Sequence, residues 1–311
     1  MRMTSIKLDA SFVANTVRSL AALLDKNYVC PEIAASMKQG LLDKLSDGEY
    51  DLEESGAAIA GKITDFLRQL SNDKHVSFHF SEQPLTIQSD NSTDSEEMNR
   101  TSGWYNYGIE KAERLSGNVG YLVLNDFAYP EFAGETAANA IGFLANTDGL
   151  IIDLRNNFGG SSFMVTLIAS YLLDAKVPVH LNDLYWRSHD VTQSFWSLPY
   201  VPGRRYGSRK PVMLLTSNHT FSAAEEFAYS LQAVGRVTVV GEKTGGGAHP
   251  GSTHRINDHF EAFIPNGRAI NPVTKTNWNG VGVIPDLECH RDEAFDIAYQ
   301  KLLKQLQNES A

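Results

Sequence analysis

The chain has only two cysteines in 311 residues, Cys30 and Cys289, and neither sits in a Cys-x-x-Cys pair. That excludes a zinc ribbon or a dithiol redox motif and reads as two unpaired thiols in a reducing compartment. Basic charge is also short. Against 37 Asp and Glu stand 27 Lys and Arg, a formal net charge of −10. A nucleic-acid binder needs a basic stripe to neutralise phosphates, and none is available. No apolar run approaches the roughly 18 residues that span a bilayer. The first residues, "MRMTSIKLDASFVANTVRSL", lack both a continuous apolar core and a small-residue cleavage site, so they read as the start of a helix rather than a secretion signal. The expectation is a cytoplasmic chain without a membrane span. Internal repeats are absent, and so is the Gly-x-Ser-x-Gly elbow of common hydrolases.

What is present falls into three regions. Residues 1–82 read as helical. Val13, Val17, Leu20 and Leu24 recur at helical spacing, as do Met37, Leu41 and Leu45, and then Ile59, Ile63, Phe66 and Leu70. Three short amphipathic helices imply a small bundle or helical cap. Residues 83–103, the greater part of "SEQPLTIQSDNSTDSEEMNRTSG", are polar and aperiodic and read as a linker. From 104 to 311, strand-like and helix-like segments alternate. "VGYLVLNDF", "GLIIDLR", "VPVHLNDLYWRS", "PVMLLTS" and "VTVVGE" read as strands, with helices "TAANAIGFLANT", "SSFMVTLIASYLL" and "SAAEEFAYSLQAV" between them. This alternation predicts an α/β domain with a mainly parallel sheet covered by helices. "HFEAFIPNGRAI" reads as a hairpin-like return and "DEAFDIAYQKLLKQL" as a last helix.

In such sheets ligands bind beyond the carboxyl ends of the strands. Two glycine- or polar-rich loops fall there, "IIDLRNNFGGSS" and "VMLLTSNHTFSAAEE". Ser222 is the serine of interest. With Glu225 three residues on it spells a capping box, the ordinary start of a helix. The same position suits a nucleophile. The Ala223 amide would lie at a helix amino terminus, able to donate to an oxyanion. Gly159 and Gly160 could bring another bare amide to the same point, or merely turn the chain. A serine also needs a base. Candidates are His75 in "SNDKHVSF", His249 in "GGGAHPG", His219 and Lys243.

Five stretches then carry a resemblance. "GNVGYLVLNDF", "GLIIDLRNNFGGS", "TSNHTFSAAEEFA", "VVGEKTGGGAHPG" and "NWNGVGVIPD" occur in the order seen in tail-specific, or C-terminal processing, serine peptidases. The chain is most similar to the branch holding the tricorn protease core and the interphotoreceptor retinoid-binding protein repeats. The resemblance implies a crotonase-like (ClpP-like) sheet with an amino-terminal helical cap and no PDZ domain. It implies Ser222 as nucleophile, with Ala223 and Gly159 or Gly160 in the oxyanion hole. The lysine base of the processing branch falls on Gly247 and a glutamine of that branch on Gly251, while the histidine that the tricorn-like branch takes from the end of its helical region falls on His75, which the resemblance implies as base. The orienting glutamate falls on Asn279, which can hold an imidazole but cannot stabilise its charge; another acid could fill that role. A peptide or protein-tail substrate and no cofactor or metal are implied. The alternative is a non-catalytic carrier of a hydrophobic small ligand on the same fold.

Overall fold

The computed structural model describes residues 8–50, 55–85 and 102–309. Most of the polar stretch read as a linker, 86–101, lies outside the described residues. In chain order the elements are α1 (Ala10–Asn27), α2 (Pro31–Ser46), α3 (Gly56–Ser71), β1 (Ser77–Phe80), β2 (Ile109–Leu115), β3 (Val119–Leu124), α4 (Pro130–Leu144), β4 (Gly149–Asp153) and α5 (Ser162–Leu172). There follow β5 (His180–Trp186), β6 (Val191–Trp196), β7 (Val212–Thr216), α6 (Ala223–Ala233), β8 (Thr238–Gly241), β9 (Gly251–Arg255), β10 (Phe260–Pro265), β11 (Gly267–Ile270), β12 (Leu287–Glu288) and α7 (Ala294–Glu309).

Two compact units result. The first comprises Met1–Ser89, Leu184–Thr192 and His249–Ala269; the second comprises Asp90–Asp183, Gln193–Ala248 and Ile270–Ala311. In the first, Asp9 caps α1 by accepting from the Phe12 amide at 2.8 Å. Ser55 caps α3 in the same way, and α3 ends where Asn72 turns left-handed at φ 51°. Of the periodic apolar positions, Val13, Val17, Leu20, Leu24, Met37, Leu41, Ile59 and Ile63 are buried, whereas Leu45, Phe66 and Leu70 are only partly so. Leu20, Leu24, Met37, Leu41, Ile63 and Leu67 are fully shielded and pack with Phe78, Phe260 and Ile264. Those last three show what helical periodicity could not: the helices close over an antiparallel sheet in the order β1-β10-β9. The hairpin-like return is corrected here. β10 pairs with β1 and β9, whereas β11 pairs with β5 in a separate sheet ordered β11-β5-β6. The amides of Asn266 and Gly267 both donate to the Pro250 carbonyl, which turns the chain out of the first sheet.

The second unit is mixed α/β. Its six-stranded sheet runs β12-β8-β7-β4-β3-β2, parallel throughout except that β2 is antiparallel to β3. β4 and β7 are buried at every residue, the mark of strands covered on both faces. On one face Ile151, Met213, Leu215 and Val240 pack on Ala294, Ala298 and Leu302 of α7. Their neighbours Leu150, Ile152, Leu214 and Val239 point the other way and are equally shielded. Register then positions the loops. Val123 lies beside Asp153, Asp153 beside Leu215, and Thr216 beside Gly241. The parallel strands therefore end level, and the segments after β3, β4, β7 and β8 emerge along one edge.

Leu214 is fully buried in the central strand. Leu214→Ala should cost about 2–5 kcal/mol, the range for a leucine removed from a packed core, read as a lowered urea midpoint. An unchanged midpoint would contradict this placement.

Candidate active site

Ser222 stands between β7 and α6, on a loop stitched to the one after β4. Within that loop the Thr220 hydroxyl donates to the Leu154 carbonyl at 2.8 Å, the Ser217 hydroxyl to the Arg155 carbonyl at 2.6 Å, and the Phe221 amide to the Asn157 carbonyl at 3.0 Å. A standard N-cap residue is extended. Ser222 is instead at φ 55°, ψ −121°, a conformation costing roughly 1–3 kcal/mol for a residue with a side chain. Strand, sharp turn and helix, with a strained serine at the vertex, is the arrangement that lifts a nucleophile out of the backbone.

The glycine loop lies directly against it. A methyl group built on Gly159 would come within 2.7 Å of the Ser222 Cβ and 3.0 Å of the Ala223 nitrogen. With φ at 119° as well, this position excludes any side chain. The two glycines differ in what their amides do. The Gly159 amide donates to Oδ1 of Asn157 at 2.8 Å. Among the described residues the Gly160 amide meets no acceptor, and neither does that of Ala223, the first residue of α6. Two donors are thus uncommitted, those of Ala223 and Gly160, while Gly159 supplies the room. Asn157, which sequence reasoning passed over, organises the loop. It is wholly buried. Its Nδ2 donates to the Leu124 carbonyl, its Oδ1 takes the Gly159 amide, and its carbonyl takes the Phe221 amide. One residue therefore joins three segments at the sheet edge. Only its place between "DLR" and "FGG" hints at this.

Glu225 does more than complete a capping box. Its buried carboxylate accepts from the Ser222 amide at 2.9 Å, the Thr244 hydroxyl at 2.5 Å, the Gly246 amide at 2.6 Å and the Gly247 amide at 2.8 Å. Burial pushes this carboxyl up to about 7, against the pull of those four donors toward the ionised form. Asn279 also belongs to this unit; its Oδ1 accepts from the Ala248 amide at 3.4 Å.

His75 lies in the first unit, where Asp73 is its neighbour. Asp73 is fully buried. Its Oδ2 bonds Nδ1 of His249 at 2.7 Å and accepts from the Tyr28 hydroxyl at 3.1 Å. Its Oδ1 accepts from the His75 amide at 3.0 Å and lies 3.9 Å from Nδ1 of the His75 ring. Burial alone would raise the Asp73 carboxyl, but the hydrogen bond and charge of His249 and the charge of His75 hold it below the usual range. Burial lowers His75 to about 4, with Asp73 opposing the shift. One buried acid thus lies against two imidazoles, bonded to that of His249 and 3.9 Å from that of His75.

Residues 118–289 match Peptidase family S41, and residues 5–116 match the N-terminal domain of Peptidase_S41 in eukaryotic IRBP. The chain belongs to peptidase family S41. Among curated relatives, carboxyl-terminal-processing peptidase 3, chloroplastic, of Arabidopsis thaliana is 27% identical over 173 residues, covering 55% of this chain and 31% of the relative. The chain thus matches about a third of that protein's length. The fold is shared with mature CPAF, at a TM-score of 0.64 and 13% identity over 95% of this chain and 98% of that one. It is also shared with the tricorn protease, at 0.61 and 14% over 95% and 37%.

In this S41 chain Gly247 is the position on which the resemblance places the lysine of the processing branch. The Gly247 amide is bound by Glu225, and its carbonyl accepts from Nε1 of Trp278 at 2.7 Å. A buried carboxylate and an indole hold the loop without an ammonium. Among the described residues no helix is long and apolar enough to cross a membrane, and no group of three or more His, Cys, Asp or Glu side chains is arranged to hold a metal.

A second buried carboxylate, Glu226, accepts from the Ser162 hydroxyl at 2.6 Å and is likewise raised by burial to about 7. Its sign is clear. Between pH 4.5 and 7 the unfolded chain releases this proton and the folded chain retains it, so stability falls as pH rises through 7. Glu226→Gln removes that penalty. The variant should melt within a degree or so of wild type near pH 4.5 and several degrees above it at pH 8, at about 2–4 °C per kcal/mol for a domain this size. A difference that stays constant with pH would refute this.

Proposed function

We propose that the chain is a serine-type peptidase in which Ser222 is the nucleophile and His75 the general base. The Ser222 Oγ attacks the peptide carbonyl as its proton passes to the His75 ring. The amides of Ala223 and Gly160 bind the oxyanion, each contributing about 3 kcal/mol. The intermediate collapses, the amide C–N bond breaks, and the imidazolium gives its proton to the leaving amine. Water then hydrolyses the acyl ester by the same route reversed. Asn279 orients the imidazole, and the Asp73 carboxylate favours its charged form.

The observation that carries this reading is the strained Ser222 vertex with two uncommitted amides beside it. Membership of S41 supports hydrolysis, and the buried, neutral state of His75 supports its role as acceptor. A competing reading, a carrier of hydrophobic ligand, draws support from the match of residues 5–116 to the domain described in IRBP.

A fluorophosphonate probe should label the wild-type protein, and Ser222→Ala should abolish labelling. His75→Ala should slow labelling and peptide hydrolysis by about 10³-fold or more, whereas His249→Ala should do so far less. A wild type that fails to label, with a hydrophobic ligand that raises its melting temperature, would favour the carrier.

The pH profile gives a separate check. His75 is neutral down to about pH 4, so the acid limb of kcat/KM should belong to Glu225, which must be ionised to accept its four donors. Activity should fall as pH drops through about 7. Glu225→Gln should lower kcat/KM at pH 8 about tenfold or more through misplacement of Ser222 and should erase this limb. Persistence of the limb in the variant would contradict the assignment.

A further inference from the structure

One cavity in the second unit lies beside the oxyanion loop and is absent from the mechanism above. It encloses about 560 Å³, with Tyr105, Tyr107, Gly108, Glu110, Asn125 and Asp126 among its lining residues. It opens at the carboxyl end of β3, next to the glycine loop that follows β4. The Phe127 amide donates to the Gly159 carbonyl, and the Ser161 amide to the Phe127 carbonyl. A methyl group built on Gly160 would stand 2.8 Å from Oδ1 of Asp126. The cavity wall and the oxyanion donor are therefore adjacent residues of one hydrogen-bonded surface.

Its chemistry is one-sided. Asp126 and Glu110 provide carboxylates, and none of the described lining residues is basic. Asn125 spends its Nδ2 on Glu110 at 2.8 Å, while its Oδ1 is shielded from solvent and accepts from no described residue. The acceptors thus outnumber the donors, and the tyrosines add aromatic faces. A group that only donates and carries positive charge is complementary to such a wall, by hydrogen bonding and by attraction to the ring faces. Burial already pushes the Asp126 carboxyl up.

We infer that this cavity is a substrate subsite for a basic side chain, a lysine or arginine of the peptide, with Asp126 as its principal acceptor and Glu110 at the rim. The inference rests on the reading of Ser222 as the nucleophile of this site, and its test separates the two.

Ten-residue peptides of alanine and glycine carry a single lysine moved along the sequence, each matched with norleucine and with glutamate at the same position. Hydrolysis is followed with wild-type protein, and binding by calorimetry with Ser222→Ala. At one position lysine should exceed norleucine by about tenfold in kcat/KM and in affinity, as one desolvated charge pair gives, with glutamate below both. The ratio should shrink on raising salt from 50 to 500 mM. Asp126→Asn should bring the lysine-to-norleucine ratio to about one, and the more exposed Glu110→Gln, which disturbs the fold less, should lower it in the same direction. Lysine-dependent binding without cleavage of any peptide would overturn the catalytic reading and leave the subsite standing. Cleavage without lysine preference, a preference unmoved by both variants, or no lysine-dependent binding at all would overturn the subsite.

Discussion

The buried carboxylate of Glu225 is the constraint on which the geometry of Ser222 depends. A residue with a side chain held at φ 55° relaxes unless its surroundings over-determine it. Here the Ser222 amide is bonded to a carboxylate that also grips Thr244, Gly246 and Gly247. The strain at the vertex is thereby distributed into the glycine-rich segment after β8. Burial raises that carboxyl to about 7, and the four donors that hold it in place pull the other way, toward the ionised form. Hydrogen bonds also restrain the three consecutive glycines: the Gly246 and Gly247 amides donate to the acid, and that of Gly245 to the Thr220 carbonyl.

Asn157 plays the matching part on the other side of the serine. Its amide and carbonyl groups bind backbone from the last residue of β3 and from the segments after β4 and β7. Buried amides of this kind are costly unless fully satisfied, so all three segments must be in place at once. Gly159 then spends its amide inside the loop, and the amides without an acceptor among the described residues are those of Gly160 and Ala223. In the first unit, Asp73 shows a similar economy, one carboxylate between two imidazoles and a phenol.

Much of the architecture was legible in the residues. The 3.6-residue recurrence in the first 80 positions marked three helices, and the all-apolar runs marked β4 and β7, because both patterns record local burial. The order of five short motifs pointed to the family. The hairpin expected at "HFEAFIPNGRAI" was wrong for a physical reason. Two apolar runs joined by a tight turn look alike whether they pair with each other or not, and here strand partners far away in sequence, β1 and β5, decided the matter.

The sequence by itself determined the element types, the alternation that makes a parallel sheet, and which serine stands at a strand-to-helix junction, since each depends on neighbours within a few residues. The tertiary structure alone decided that Glu225 reaches Gly247, 22 residues on, that Asp73 meets His249 across 176 residues, and which of two adjacent glycine amides is uncommitted. Those facts depend on where separate segments converge, and hydrogen bonds between distant segments leave no periodicity to read.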